Sequence, residues 1–192
     1  ARCGHAICRA TVNGAVWIGH LRDKQFEHPF KLPATMLLQE EVAGIPEVQP
    51  ELDSGYRDVW YEEHGEVGYL HFPFYNGAMG TEQCERLRQA YIRARQHDTR
   101  VIVLMGGPNY WSNGMHLNLI EAAESPADES WRNINAIDDL ALEIINTDSH
   151  LTVAALQGNA GAGGVFLARA CDEVWARQGV ILNPHYKDMG NL

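Results

Sequence analysis

The chain has 192 residues, 45% hydrophobic and 21% charged, with a formal net charge of −10. That is ordinary for a water-soluble globular chain with one full core, or one core plus part of another, and the acidic balance argues against a general nucleic-acid binder. No window carries about 18 uncharged apolar residues, so no membrane span is expected.

Residues 1–14, "ARCGHAICRATVNG", lack the basic, apolar and small-residue regions of a signal peptide. They also lack an initiator Met, and the chain stops at "DMGNL", so it reads as a piece cut at both ends. Residues 7–21 alternate apolar and polar around Asn13-Gly14, which predicts a β-hairpin. "FKLPATMLL" continues as an extended piece interrupted by Pro33. Residues 40–55 are rich in Pro, Gly and acid and read as a linker.

A second unit begins near Tyr56. "RDVWYEEHGEVGYLHF" predicts strand, turn and strand about His64-Gly65, and "FPFYNGAMG" a loop. Thr81 is placed to cap a helix whose apolar face is Cys84, Leu87, Tyr91 and Ala94. "RVIVLMG" and "HLTVAALQG" are short apolar runs of buried-strand type. Between them "GPNYWSNG" reads as a loop and "MHLNLIEAA" as a short helix. "DESWRNINAIDDLALEIINT" predicts a longer helix with Trp131, Ile134, Ile137, Leu140, Ala141, Ile144 and Ile145 on one side. "DEVWAR" and "VILNPH" close the chain as short strands. Strands alternating with helices imply a largely parallel sheet. No internal repeat is visible.

Arg86, Arg88, Arg93, Arg95 and Arg100 crowd one stretch. A solvated helix face is the plain reading, and a local attractor for a phosphate-bearing ligand the sharper one. Cys3, Cys8, Cys84 and Cys171 show no CxxC spacing, which points to reduced thiols in the cytoplasm. The nine histidines form no HExxH, so no metal is expected.

Two loops share a logic. "GGPNYWSNGMHL" leaves a strand, turns at Asn113-Gly114 and enters a helix at Met115; "QGNAGAGGVFL" does the same around Gly163. Each offers backbone N–H groups at a helix N-terminus, where negative charge is favoured. Two such donors aimed at one point form an oxyanion hole, worth about 3 kcal/mol per donor toward an acyl transition state. The small residues of "AGAGG" also permit close packing of helix on strand, and a Rossmann or P-loop assignment lacks its glycine frame and its Gly-Lys-Ser/Thr.

"TRVIVLMGGPNYWSNGMHL" and "HLTVAALQGNAGAGGVFLARACD" together resemble the paired motifs of the crotonase, or enoyl-CoA hydratase/isomerase, superfamily. The resemblance implies an α/β fold of the ClpP/crotonase type, a β-β-α superhelix, incomplete at the C-terminus and preceded by the end of a small β-barrel subdomain. It places the oxyanion donors on the N–H groups of Met115 and Gly163, holding the thioester carbonyl of an acyl-CoA. Asn113, Gly114 and Gly164 flank them as candidate substrate-binding positions, with Ser112 and Asn113 fixing the turn rather than reacting. His116 stands where the superfamily has Asp and is expected to structure the loop. Asp172 is expected to be structural. Hydratases carry a Glu three residues after the second donor and another after a Pro. Here those positions are Phe166 and His185, so the acid/base pair that hydration needs is missing.

Longer runs, "GAVWIGHL", "FKLPAT", the stretch from Gly106 to Asn135 and "LNPHYKDMGN", are similar to the HypX/HoxX family of NiFe-hydrogenase maturation factors. That resemblance implies a formyltransferase-like remnant over 1–39, the linker over 40–55 and a truncated crotonase-like domain over 56–192. It implies coenzyme A as cofactor, as formyl-CoA, with tetrahydrofolate used only through an upstream module. The implied chemistry is decarbonylation of formyl-CoA to carbon monoxide and CoA in hydrogenase maturation, with hydrogenase assembly proteins as partners. Tyr186 is the implied catalytic residue, with His185 a second candidate. A further Glu lies beyond Leu192, so the isolated chain is expected to be inactive. Another acyl-CoA hydrolase, isomerase or decarboxylase, or a non-catalytic CoA-binding module, are the alternatives.

Overall fold

The computed structural model describes residues 1–24, 30–48 and 55–185. The chain divides into two units, Ala1–Arg57 and Asp58–Leu192.

In the first unit, β1 (Arg2–Cys3), β2 (Ala6–Thr11) and β3 (Gly14–Ile18) form an antiparallel sheet. The β2–β3 hairpin is the predicted one, but Thr11 pairs with Gly14, so Val12-Asn13 make the turn. Gly14 opens the return strand at φ 146°, a value open to glycine and costly for other residues. β4 (His20–Arg22) pairs antiparallel with β5 (Lys31–Pro33). Pro33 ends β5 rather than interrupting a longer strand. With φ fixed at −49° and no N–H to donate, it leads directly into α1 (Ala34–Leu37). α2 (Gln39–Val42) is a helical turn inside the stretch read as linker; residues 49–54 of that stretch lie outside the described residues.

The second unit carries the ordered repeat that the sequence hides. β6 (Trp60–His64) and β7 (Val67–His71) form the predicted hairpin, with Gly65 at φ 63° in its loop. A single 3-10 turn at Tyr75–Gly77 and β8 (Ala78–Met79) lead to α3 (Thr81–Ala94). Then come β9 (Val101–Met105), β10 (Tyr110–Ser112), β11 (Gly114–Met115), α4 (Leu117–Ala122) and α5 (Pro126–Ile145). The third pass is β12 (Leu151–Leu156), β13 (Asn159–Gly161) and α6 (Gly163–Arg169). β14 (Glu173–Ala176) and β15 (Leu182–Asn183) begin a fourth. The first and third passes are a long strand, a short strand, then helix; the second has two short strands and two helices.

The long strands make one sheet in the order β14-β12-β9-β7-β6, parallel except for the β6–β7 hairpin. The short strands make a second layer, β10-β13-β15 and β11-β8, all parallel. This is the β-β-α superhelix expected from the resemblance.

α3 buries Cys84, Leu87, Tyr91 and Ala94 as predicted, in one core with Leu70, Ile102, Leu104 and Ala154 of the sheet and Ile137, Leu140 and Ile144 of α5. Each such Leu or Ile contributes about 1.5–3 kcal/mol relative to exposure. Thr81 does not cap α3: the cap is Gly80, whose N–H donates to Gln83 Oε1 at 3.0 Å. Thr81 Oγ1 instead donates to Glu129 Oε1. On α5 the buried stripe is Asn133, Ala136, Ile137, Leu140 and Ile144. Trp131 and Ile145, assigned to the apolar side from sequence, are 71% and 63% exposed. The core line runs through the predicted Ile137, Leu140 and Ile144 and leaves Trp131 and Ile145 outside it.

Candidate active site

Where β9 leaves the sheet the chain doubles back tightly. A Cβ on Gly106 would lie 2.2 Å from Trp111 O, so β10 can cross here only over a glycine. Trp111 is buried and its Nε1 donates to Leu104 O at 3.2 Å, tying β10 to the long strand it came from. Asn113 N–H donates to Gly77 O and Asn113 Nδ2 to Asn76 O, both at 2.7 Å. The fully buried Ser112 accepts from Gly114 N–H at 3.1 Å and donates toward Met79 Sδ at 3.1 Å. Both residues thus fix the turn, as expected of them.

The helix start differs from expectation. Met115 lies in β11, opposite Met79 of β8, and α4 begins at Leu117 with His116 as its cap. His116 is buried, and its Nδ1 accepts from Leu119 N–H at 3.3 Å. Met115 therefore ends a short strand, two residues ahead of the helix.

His116 N–H donates to Asn133 Oδ1 at 3.1 Å, and Asn133 Nδ2 donates to Met79 O at 2.8 Å. The carboxamide of this fully buried Asn stands between the two chains just past their last paired residues. It satisfies one backbone group from each, as a ladder rung would. The sequence reading missed Asn133. Its signal was a polar residue four positions before Ile137 on the true core stripe of α5.

The second loop is held to the 181–183 segment by backbone bonds and by Asn159 Oδ1, which accepts from Ile181 N–H at 2.9 Å. Ala162 has φ 44° and ψ −125°, a conformation that costs a non-glycine residue about 1–3 kcal/mol. Its N–H donates to Asn183 O at 2.8 Å, which holds it there. Gly163 follows as the first residue of α6, where the helix supplies no acceptor for its N–H.

The two loops meet. A Cβ on Gly114 would lie 2.8 Å from Gly163 N and 3.0 Å from Gly163 Cα. A Cβ on Gly164 would lie 2.1 Å from Ser112 O, and one on Gly161 2.9 Å from Asn113 Oδ1. The structure thus brings Asn113, Gly114, Met115, Gly163 and Gly164 together, with a packing reason for glycine at 114, 161 and 164.

His185 is exposed; its N–H donates to Asn183 Oδ1 at 3.3 Å. Tyr186 lies outside the described residues. Phe166 is 55% exposed on α6. Segments 110–116, 159–168 and 181–185 contain no Asp or Glu. Burial pushes the Cys84 thiol up to about 12, so it is a poor nucleophile. Asp172 is structural, its Oδ2 accepting from Thr152 N–H and Oγ1, both at 2.8 Å.

Four of the five clustered arginines are ion-paired. Arg86 pairs with Asp58, Arg88 and Arg95 share Glu143 at 2.8 and 3.3 Å, and Arg100 meets Glu66 at 2.9 Å. Among the described residues no group of three His, Cys, Asp or Glu is placed to hold a metal ion, and no helix is long and apolar enough to cross a membrane.

A parallel β-β-α superhelix with two glycine-rich loops converging backbone to backbone defines a class. The enoyl-CoA hydratase/isomerase family model matches residues 69–186, and the chain belongs to that family. Within it, the chain is 59% identical over all 192 residues to the hydrogenase maturation factor HoxX of Bradyrhizobium diazoefficiens, of which it spans 33%. A crystal structure of a HypX variant from Aquifex aeolicus matches all of this chain with 35% of its own, at TM-score 0.95 and 52% identity. The same Aquifex protein in complex with tetrahydrofolic acid matches at TM-score 0.92 and 53% identity, over 98% of this chain and 34% of its own. An enoyl-CoA hydratase from Thermoplasma volcanium matches 66% of this chain and 51% of its own at TM-score 0.59, with 25% identity. The chain therefore spans about a third of the length of the maturation factors it matches.

Proposed function

We propose that this module binds formyl-CoA, polarises its carbonyl with the backbone N–H groups of Met115 and Gly163, and decarbonylates it to carbon monoxide and CoA for hydrogenase maturation. The observation that carries the reading is the contact of Gly114 with Gly163. It supports placing the Met115 amide, one residue on, near a Gly163 amide for which its own helix supplies no acceptor. The composition of the described segments 110–116, 159–168 and 181–185 agrees. Converging segments without a carboxylate suit a reaction in which no water is activated.

Each residue has one task in this scheme. The amides favour the carbonyl oxygen as negative charge builds on it, and each contributes about 3 kcal/mol. Asn113, Gly114 and Gly164 shape the seat. Tyr186 is assigned proton transfer between the formyl group and the leaving thiolate, with His185 beside it. Coenzyme A supplies the thiol that carries the formyl group. Likeness to HoxX and HypX supports placing the reaction in hydrogenase assembly, and the tetrahydrofolic acid complex supports a folate-derived formyl group made outside residues 1–192.

Isotope-edited infrared spectroscopy tests the central claim. A carbonyl-labelled acyl-CoA bound to the complete polypeptide is expected to show its C=O stretch shifted down, and the Gly114→Ala variant to lose that shift. An unshifted carbonyl in the parent protein overturns the two-amide reading. Carbon monoxide trapped by a ferrous haem reports turnover of formyl-CoA. Tyr186→Phe is expected to abolish it, and unchanged release removes Tyr186 from the mechanism.

A further inference from the structure

Met79 is fully buried at the end of β8, and across the β8–β11 pairing its partner is Met115. Two side chains reach Met79 from other elements. Its sulfur accepts from Ser112 Oγ at 3.1 Å, and its carbonyl accepts from Asn133 Nδ2 at 2.8 Å. Ser112 and Asn133 are fully buried as well. Chemistry fixes who donates. A thioether has no proton to give, so the Ser112 hydroxyl spends its own on Met79 and keeps a lone pair for Gly114 N–H, at 3.1 Å. A carbonyl likewise takes only a donor, so the Asn133 carboxamide turns its oxygen to His116 N–H, also at 3.1 Å.

The two chains of bonds end on either side of one peptide unit. Gly114 N–H and His116 N–H are the amides before and after that of Met115. Each is held by a buried side chain, and both side chains meet at Met79. A planar peptide turns only through the soft dihedrals it shares with its neighbours. Holding both neighbouring amides therefore restrains the direction of the Met115 N–H. A donor assists developing charge best when its direction is set before the reaction starts.

We infer that Met79 is a positioning residue, which through its sulfur and its carbonyl aims the Met115 amide at the acyl oxygen. This rests on the two-amide reading above and adds what orients one of the amides. The sulfur is the half that a substitution can isolate. Without it the Ser112 hydroxyl is free to rotate, and the acceptor of Gly114 N–H is no longer fixed.

Met79→Leu removes the sulfur while keeping the backbone carbonyl and the apolar volume, a swap that cores tolerate. In the complete polypeptide it is expected to lower kcat for carbon monoxide release on the order of tenfold, with KM for formyl-CoA nearly unchanged. The C=O stretch of bound, carbonyl-labelled acetyl-CoA is expected to move part of the way back to its free value. Ser112→Ala, which removes the hydroxyl that the sulfur orients, is expected to give the same signature. The double variant is expected to lose no more than Ser112→Ala alone, since the sulfur acts through that hydroxyl. A merely structural role would move the urea midpoint and leave the stretch in place. A parent-like stretch and turnover in Met79→Leu, or losses that add in the double variant, overturn the assignment of Met79 and leave the two-amide reading standing. If Met79→Leu does not fold, a parent-like stretch in Ser112→Ala overturns it equally. An unshifted stretch in the parent protein overturns the two-amide reading and this inference with it.

Discussion

Gly114 and Gly163 touch through their backbones, from loops about fifty residues apart in sequence. The Cβ of any other residue at 114 would lie 2.8 Å from Gly163 N, and φ there is 74°. Gly114→Ala is therefore expected to lower stability by about 1–3 kcal/mol through strain alone. It also forces the two loops apart, so turnover is expected to fall on the order of 10²-fold. Denaturant unfolding and carbon monoxide release measure the two effects separately. A variant as stable and as active as the parent would show that the loops do not depend on this contact.

Asn133 makes a prediction about stability. Asn133→Leu keeps the volume but strips His116 N–H and Met79 O of the carboxamide that joins them. Losing a buried partner for two backbone groups is expected to cost about 2–4 kcal/mol. A drop in the urea midpoint with unchanged slope checks it. Asn133→Asp keeps the acceptor for His116 N–H while losing the donor to Met79 O. It brings a charge into a fully buried site, and is expected to be at least as damaging.

These two positions mark how far the sequence could be read. Elements long enough to show a period were legible: the hairpin about Gly65, the α3 face from Cys84 to Ala94, and the strands Val101–Met105 and Leu151–Leu156. The short strands β8, β10, β11 and β13 were not, because two or three residues carry no periodicity. Their pairing is decided by glycines that let chains approach. The same shortness concealed the repeat, which lies in the order of strands rather than in residue type. On α5 the sequence marked Ile137, Leu140 and Ile144 correctly, but Trp131 and Ile145 widened the predicted face beyond the buried stripe and the polar Asn133 on that stripe went unread. For the site, the two amide positions came from a motif resemblance. The contact that joins their loops, and the move of Met115 from helix to strand, needed coordinates.

Thiol chemistry separates the two pairs of cysteines. Burial pushes both Cys84 and Cys171 up to about 12, so both stay protonated near neutral pH. Cys3 and Cys8 are only half-buried. Disulfide-exchange titration of the folded chain is expected to count two fast thiols, and four after denaturation. Rapid modification of Cys84 in the native protein would contradict the packing of α3 against Asn133.

Asp172 gives the molecule an acid limb. Its carboxylate accepts from Thr152 N–H and from Thr152 Oγ1, and these bonds hold its pKa below the ordinary 3.8. The folded state thus prefers the charged form more than the unfolded chain does. The stabilisation is complete above the unfolded value and is lost as pH falls through the folded one. Unfolding measured from about pH 6 down to about pH 2 is expected to steepen below the ordinary carboxylate value. Asp172→Asn is expected to be less stable at neutral pH and to flatten that limb, since a neutral amide has nothing to titrate. Thr152→Val removes the hydroxyl donor and leaves the backbone N–H, so it is expected to fall between the two. A parent and an Asp172→Asn variant with parallel acid limbs would show that this bond, which joins the start of β12 to the end of α6, does not sense pH.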